Sequence, residues 1–218
     1  MVITYTLSII LLIIAYLLGS IPSAVWIGKR YYGIDVREYG SKNAGSTNVL
    51  RVLGRRAALP VFALDIAKGF VAVTIVGLLE HDPSISDLWI ANLKIATVFI
   101  AVIGHIFPIF AGFRGGKGVA TLVGTVLGIN PPVVLLCFAM WIIIFMIFHY
   151  VSLASMIGGS CFPLLTIISP WSEATLPYTI FSVVVAALLI WTHRKNIERL
   201  RQGTESKIYI FKQSKKDN

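Results

Sequence analysis

The first 28 residues of the chain contain no Asp, Glu, Lys or Arg, and Lys29 and Arg30 follow directly. A helix needs about 20 apolar residues to cross the hydrocarbon core of a membrane, so this segment is long enough to span it. A cleaved signal peptide is not expected, because it would carry its positive charge before a shorter apolar run. The segment therefore predicts a first transmembrane helix. Residues 118–172 also lack these four residue types and predict several more.

The composition supports the same class of protein. Of the 218 residues, 56% are hydrophobic and only 13% are charged, which is too apolar for an ordinary soluble domain. We predict one polytopic membrane domain over residues 1–218, with a basic cytoplasmic tail over 204–218. The net charge of +9 could suggest a nucleic-acid partner. None is expected, because the basic residues flank apolar segments, as membrane topology requires.

The charged connections predict the orientation in the membrane. Basic residues dominate residues 29–58 and the tail from His193, whereas the connection after residue 79 is mostly acidic. The positive-inside rule places the two basic regions in the cytoplasm and the acidic connection outside. The N-terminus is therefore predicted to lie outside and the C-terminus inside.

Turn-forming residues at 130–132, 149–152 and 169–172 divide the long apolar remainder. The predicted fold class is an all-α integral membrane protein, a bundle of seven transmembrane helices, some of them short. The predicted helices cover residues 1–28, 59–79, 94–111, 118–129, 132–149, 152–168 and 176–192. Five spans are the alternative, because the helix over 118–129 falls short of about 20 residues.

The sequence predicts no metal and no cofactor. Cys137 and Cys161 lie inside apolar stretches, which is typical of small core residues. The four histidines show no close pairing with carboxylates or cysteines, so no zinc site is expected. A Walker P-loop is also excluded, because Ala111 stands where its first glycine belongs and Gly118 follows Lys117.

Three polar stretches, residues 40–51, 112–121 and 193–203, fall on the predicted cytoplasmic side. The first offers hydroxyl and amide groups between glycines, although an ordinary turn would have a similar composition. The second sets Lys117 among four glycines just before a helix, an arrangement suited to holding phosphate. In the third, His193 and Asn196 are three residues apart and share a helix face, which a basic flank alone would not explain. Together they predict an anionic substrate.

These stretches closely resemble the signature motifs of the bacterial acyl-phosphate:glycerol-3-phosphate acyltransferase family, usually called PlsY. The matching segments are residues 40–51 (GSKNAGSTNVLR), 115–121 (GGKGVAT) and 193–205 (HRKNIERLRQGTE), supported by residues 19–23, 65–69, 104–105 and 152–155. Lys42 and Ser46 stand where that family commonly has small residues such as Gly and Ala, which affects the fine shape of the pocket.

The resemblance implies an enzyme that transfers a fatty acyl group from acyl phosphate to the 1-hydroxyl of glycerol-3-phosphate. The products would be lysophosphatidic acid and inorganic phosphate, in bacterial phospholipid biosynthesis. It further implies a multi-pass protein of the cell inner membrane, surrounded by membrane lipid, whose active site faces the cytoplasm.

The resemblance also implies roles for individual residues. The expected catalytic residues are Lys117, His193, Arg51 and Asn196. The expected substrate-binding residues are Ser41, Asn43, Thr47, Asn48, Gly116, Ser155 and Lys68. The catalytic residues and Ser155 are assigned to glycerol-3-phosphate, and the loop of Ser41 to Asn48, with the backbone near Gly116, to acyl phosphate. Lys68 has an alternative, a simple pairing with Asp65.

Two questions stay open at this point. The proton of the attacking hydroxyl can go to His193 or to the substrate phosphate, and we favour the phosphate because His193 has only Glu198 at an orienting spacing. The competing function is a membrane transporter of organic phosphates, which the absence of an obvious internal repeat disfavours. An acyltransferase that uses a thioester donor is disfavoured by the absence of a His-x4-Asp box.

Overall fold

A computed structural model describes residues 2–169 and 175–209, and every regular element within those ranges is helical. The α-helices are α1 (Val2–Gly19), α2 (Ser23–Tyr32), α3 (Ser46–Leu53), α4 (Arg55–Thr74), α5 (Asp87–Ile106), α6 (Val119–Leu127), α7 (Pro131–Phe148), α8 (Val151–Ser160), α9 (Phe162–Ile168), α10 (Leu176–Thr192) and α11 (Arg194–Arg201). Short 3-10 turns cover Val36–Glu38, Ile75–Leu79 and Ile109–Ala111. The predicted all-α class is confirmed. Residues 170–172 of one predicted break and residues 210–218 of the predicted tail lie outside the described residues.

The first predicted helix is two helices in the structure. α1 ends at Gly19, and α2 begins at Ser23, directly after Pro22. Proline has no backbone N–H to donate and its ring clashes with the carbonyl four residues earlier, so it ends the first helix. α2 ends at Tyr32, and Gly33 follows with a φ of 69°, the left-handed conformation that is common at helix ends.

All seven predicted apolar segments contain helix, but they differ in length. Five segments are long and apolar enough to cross a membrane: Ile3–Tyr32, Arg55–Leu79, Asp87–Ala111, Pro131–Phe148 and Val151–Ile168. A sixth is obtained if α10 and α11, which meet at a bend of 56°, form one broken span. With nine residues, α6 is about 14 Å long and too short to cross alone. The count of seven crossings therefore stays a prediction.

Close contacts between backbones fix the helices on both sides of Lys117. Gly124 of α6 lies directly against the carbonyl of Ile66 in α4, and Gly69 of α4 lies against the carbonyl of Thr121, so a Cβ at either glycine would overlap backbone atoms. Gly19 of α1 lies in the same way against Ala101 of α5. Such contacts between small residues bring membrane helices close together. They hold α5 and α6, which flank the loop of Lys117, in a fixed relation to α1 and α4.

Aromatic side chains connect the second half of the chain to this framework. Phe181 of α10 packs edge-on against Phe99 of α5, with ring centroids 5.3 Å apart, and against Phe162 of α9, at 5.8 Å. Phe181 is 2% exposed and belongs to the largest apolar core. This packing attaches α10, which leads to His193 and α11, to α5 and α9.

Candidate active site

Lys117 lies in the loop between α5 and α6, and its side chain meets Asn196 of α11. The amide oxygen of Asn196 accepts a hydrogen bond from Lys117 Nζ, and its amide nitrogen donates to Glu205 Oε1 at 2.7 Å. Because Lys117 only donates and the Glu205 carboxylate only accepts, the amide satisfies both neighbours in this one orientation. Asn196 thus links the second polar stretch to the third, although Lys117 and Asn196 are 79 residues apart in sequence.

Glu205 is the centre of this cluster. Its Oε1 accepts a second hydrogen bond from Ser152 Oγ at 2.8 Å, and its Oε2 accepts one from Arg199 Nε at 2.6 Å. Arg51 completes the surroundings, with a guanidinium nitrogen 3.5 Å from Oε1. Burial by itself raises the pKa of this carboxyl group, but the hydrogen bonds and the charge of Arg199 lower it below its usual value. Glu205 is therefore an anion at neutral pH.

Positive charge exceeds negative charge in the cluster. Three basic groups, Arg51, Lys117 and Arg199, gather around the carboxylate of Glu205. The pKa of Lys117 is lowered to about 8, mainly because burial disfavours the charged form; the charge of Glu205 raises this pKa, and the charges of Arg199 and Arg51 lower it. Burial likewise lowers the pKa of Arg51. Buried cations of this kind are costly unless an anion compensates them.

Arg51 has an unused donor in this cluster. Its Nε is buried and, among the residues that the structure describes, has no hydrogen-bond partner. Arginine offers its donors in a planar fork that matches the oxygens of phosphate. The free donor and the excess positive charge together suit an anion with several oxygens.

His193 and Ser155 are both buried, and the side chain of each lies at hydrogen-bonding distance from a neighbouring group. His193 is 3% exposed, and its Nδ1 lies 2.8 Å from the carbonyl oxygen of Leu189. Since a carbonyl only accepts, Nδ1 carries the proton and Nε2 is the free acceptor. Ser155 Oγ accepts a hydrogen bond from Trp141 Nε1 at 3.2 Å, which leaves its own hydroxyl proton for another acceptor.

The first polar loop is held together by Asn48. This side chain is 1% exposed, accepts hydrogen bonds from Ser41 N at 2.8 Å and Ser41 Oγ at 3.1 Å, and donates to the carbonyls of Val36 and Tyr39. In this conformation the Asn48 amide is used within the loop and shapes it. The half-buried side chains of Asn43 and Thr47 keep polar groups near the surface of the same loop. The substrate contacts predicted for these residues stay predictions.

The first polar loop and the Lys117 loop touch each other. The Ala44 amide donates to the Gly115 carbonyl at 3.4 Å. Arg37, for which no role was predicted, makes a second link just before the two loops: its guanidinium donates to the Ala111 carbonyl at 2.7 Å and to the Asp35 carboxylate. Together these contacts set the separation of the two loops.

Lys68 lies deeper, apart from the cluster around Glu205. It is 6% exposed and pairs with Asp65, Nζ to Oδ1 at 2.7 Å, and also donates to the Ile21 carbonyl. The pairing with Asp65 that the sequence offered as the alternative is the one observed. Lys68 is therefore bound to other protein groups in this structure, and its contact with substrate remains untested.

Sequence reasoning gave no role to the residues that organise the cluster: Glu205, Arg199 and Ser152. The one available indication was Glu205 itself, an acidic residue that closes the third matching segment in an otherwise basic region. Within residues 2–169 and 175–209, no group of three or more His, Cys, Asp or Glu side chains is placed to hold a metal ion.

Comparison with protein families and with curated proteins gives a consistent result. The family model described as glycerol-3-phosphate acyltransferase matches residues 9–203. A protein of Clostridioides difficile (strain 630), named glycerol-3-phosphate acyltransferase, is 44% identical over 200 residues, covering 92% of this chain and 95% of its own. One of Coxiella burnetii (strain CbuG_Q212), with the same name, is 43% identical over 203 residues, covering 93% and 98%.

Solved structures agree with the sequence comparison. The chain is similar to the crystal structure of PlsY (YgiH), described as an integral membrane glycerol 3-phosphate acyltransferase in its glycerol 3-phosphate form, with a TM-score of 0.79 and 37% identity. The match covers 93% of this chain and 96% of that one. The lysophosphatidic acid form of the same protein gives a TM-score of 0.77.

Proposed function

Because the chain belongs to the glycerol-3-phosphate acyltransferase family, we propose that it acylates the 1-hydroxyl of glycerol-3-phosphate with a fatty acyl phosphate as donor. The products are 1-acylglycerol-3-phosphate, which is lysophosphatidic acid, and inorganic phosphate. A member of a family of acyltransferases is an enzyme of phospholipid biosynthesis, so the transporter alternative loses its support.

The observation that carries this proposal is the uncompensated charge around Glu205. Three buried or half-buried basic groups meet one carboxylate, and Arg51 Nε has no partner among the described residues. A phosphate group with nearly two negative charges at neutral pH would neutralise the excess and accept from Arg51. Both proposed substrates carry phosphate, and the site must bind them together.

We place the phosphate of glycerol-3-phosphate between Arg51 and Lys117. Asn196 positions Lys117, and the Ser155 hydroxyl and His193 Nε2 are left to contact the glycerol portion or its phosphate. The acyl phosphate is placed against the neighbouring loop, where Ser41, Asn43, Thr47 and Asn48 and the backbone near Gly116 provide the contacts. The link between Ala44 and Gly115 keeps the two phosphate sites adjacent.

The reaction then needs no covalent enzyme intermediate. Acyl phosphate is a mixed anhydride, so the glycerol hydroxyl can attack its carbonyl carbon directly while the bond from that carbon to the phosphate oxygen breaks. Holding the two groups about 3 to 3.5 Å apart supplies much of the rate, and donors aimed at the carbonyl oxygen and the departing phosphate supply more. The hydroxyl proton ends on phosphate, so an ester and inorganic phosphate leave the site.

We propose the substrate phosphate as the group that takes the proton. His193 is oriented by a backbone carbonyl, 2.8 Å from Nδ1, and a carbonyl does not stabilise an imidazolium as a carboxylate does. Replacing His193 with Ala is therefore expected to lower kcat by about 10- to 100-fold, whereas Lys117→Ala abolishes measurable turnover. Rates of the two variants at saturating substrate test this. An equally complete loss in His193→Ala would assign the proton to His193.

The proposed location is the bacterial inner membrane, with the site on the cytoplasmic side. The segments that build it, residues 40–51, 112–121 and 193–205, lie in the basic connections and the basic tail region. The positive-inside rule supports a cytoplasmic position for them, with the N-terminus outside and the C-terminus inside. An odd number of crossings gives this arrangement, either the seven that the sequence predicts or the five of its alternative.

The function is tested with the purified full chain in detergent or lipid, palmitoyl phosphate and glycerol-3-phosphate, by following inorganic phosphate without added metal. Release must require both substrates, disappear in Lys117→Ala and persist in Lys195→Ala, which removes an exposed lysine from the same side of the protein. Palmitoyl-coenzyme A in place of the acyl phosphate tests the thioester alternative. A folded protein that binds glycerol-3-phosphate but releases no phosphate would overturn the proposed reaction.

A further inference from the structure

Gly115 and Gly116 precede Lys117, and backbone conformation does not explain why both are glycine. Of the glycines in this loop, Gly112 and Gly118 have positive φ, at 61° and 82°, whereas Gly115 and Gly116 do not. Any residue could adopt the backbone conformation at these two positions. The constraint must therefore come from what surrounds them.

His105, near the end of α5, lies directly against both glycines, and Pro108 and the Ile106 carbonyl also border Gly115. A Cβ at Gly115 would overlap the carbonyl oxygen of His105, and a Cβ at Gly116 would overlap its ring at Nε2. The backbone is attached at the same place, since the Gly116 amide donates to the His105 carbonyl at 3.1 Å and the Gly115 amide donates to the Ile106 carbonyl at 3.2 Å. The loop thus rests directly on His105.

His105 is itself held in a buried polar cluster. It is 6% exposed, and its Nδ1 faces Asp65 Oδ1 at 3.7 Å. The same oxygen pairs with Lys68 at 2.7 Å and accepts from Ser23 at 3.1 Å, while Lys68 also donates to the Ile21 carbonyl. This cluster joins α2, α4 and α5 beneath the loop, and the proposed reaction gives none of these four side chains a chemical role.

The ring of His105 therefore determines how closely the loop of Gly115 and Gly116 approaches the helix bundle. Lys117 follows Gly116 directly, so a shift of Gly116 moves the lysine that meets Asn196. The Gly115 carbonyl also accepts from Ala44, so the same shift moves the first polar loop. A displacement of about 1 Å in a substrate-positioning group can cost about 100-fold in rate.

We propose that His105 is a positioning residue for catalysis. Its ring, held by the Asp65–Lys68 pair, supports residues 115 and 116 and thereby fixes the position of both proposed phosphate-binding loops. The expected loss of activity rests on the proposed function, whereas the expected change in the structure of the loop does not.

The test uses the steric contact between Gly116 and the His105 ring in the full-length protein. Gly116→Ala should lower kcat/KM about 30-fold or more, because the new methyl group pushes the loop off the ring, and His105→Ala should lower it about 10-fold, mainly through KM, because the loop loses its support. In the double variant the small side chain at 105 makes room for the methyl group. Its kcat/KM should therefore equal that of His105→Ala, and the 30-fold penalty should disappear. His81→Ala, which removes an exposed histidine, should leave all values unchanged.

A second measurement does not depend on the reaction. Hydrogen exchange of the backbone amides of residues 112–118 should rise in His105→Ala, while exchange in α4 stays as in the wild type. Multiplicative losses in the double variant, or unchanged exchange in the loop, would overturn the positioning role. If His105→Ala does not fold, His105→Asn replaces it in both measurements, since it also frees the space of the ring. A wild-type protein that releases no phosphate overturns the proposed function, and hydrogen exchange then still decides on His105.

Discussion

Burial and the neighbouring arginines lower the pKa of Lys117 and the charge of Glu205 raises it, with a net pKa of about 8. In the proposed reaction Lys117 binds phosphate in its charged form, which is present below this pKa and lost as the pH rises through it. Because kcat/KM reports the pKa values of the free enzyme, it should fall about tenfold per pH unit above pH 8. Initial rates at low glycerol-3-phosphate from pH 6 to 10, corrected for donor hydrolysis without enzyme, measure this.

The matched variant is Lys117→Arg. A guanidinium stays charged throughout this range, so the alkaline decrease should vanish, although the lower rate below pH 8 will reflect the different geometry of arginine. A decrease that persists near pH 8 in Lys117→Arg would show that another group is responsible.

Glu205 is the carboxylate that makes the cluster stable without substrate. Its removal leaves Arg51, Lys117 and Arg199 together without a counter-charge, and loss of one partner of a buried ion pair typically costs about 3 to 5 kcal/mol. Glu205→Gln should therefore lower the thermal unfolding midpoint strongly. Inorganic phosphate should restore part of the loss, because an anion that binds only the folded state stabilises it.

Glu198→Gln is the control for this prediction, since Glu198 is an exposed carboxylate of α11. Its free energy of unfolding should stay within about 0.5 kcal/mol of the wild-type value. Equal midpoints for the two variants would contradict the role given to Glu205.

At the level of single residues, the sequence pointed to the groups that we propose to contact substrate, but not to the groups that hold them in place. Lys117, His193 and Asn196 stand out, because a cation among glycines or a histidine beside an asparagine is unusual at a membrane boundary. Glu205 and His105 do not stand out, because their importance lies in contacts with residues distant in sequence. Only the three-dimensional packing shows that a ring of α5 lies beneath Gly116.

Among the helices, the contact of α4 with α6 has the most direct consequence for the site. Gly124→Ala would place a methyl group on the Ile66 carbonyl and force the two helices apart. Backbone atoms cannot move aside as a flexible side chain can, so we expect a loss of about 1 to 3 kcal/mol in stability. Since α6 begins two residues after Lys117, kcat/KM should fall as well. Gly77→Ala is the control, because its nearest neighbour is the Glu80 side chain at 3.6 Å. Equal unfolding midpoints and rates would contradict the prediction.

Helix boundaries were predicted well where a proline turn marks them and poorly where charge was taken as the boundary. α7 begins at Pro131, as its turn signal indicated. α5 begins at Asp87 rather than near residue 94, because Ser86 Oγ accepts from the Trp89 amide and caps the helix. Lys94, which was taken as the limit of the apolar span, lies inside α5, and its charge is paired with Glu80 at 2.6 Å.

For the molecule as a whole, the sequence predicted the class and the single bundle, because runs of apolar residues without charge have few other structures available to them. It could not predict the number of crossings. Length alone gives five or six, and α6 reaches its place by packing on α4 through glycines, not by spanning the membrane on its own. Such a short helix is stable because its neighbours cover it, which a hydropathy pattern does not record.

The orientation of the whole chain in the membrane can be tested by labelling one residue on each side. With Cys137 and Cys161 replaced by Ala, single cysteines at Ser84 and Arg201, both exposed, report the two sides of the membrane. In intact cells a membrane-impermeant thiol reagent should label Ser84→Cys and leave Arg201→Cys unlabelled, because the acidic connection lies outside and the basic region inside. Permeabilised cells should give labelling at both positions, which shows that each thiol is reactive. Labelling of Arg201→Cys in intact cells would place the cluster around Glu205 outside the cell, away from a cytoplasmic supply of glycerol-3-phosphate.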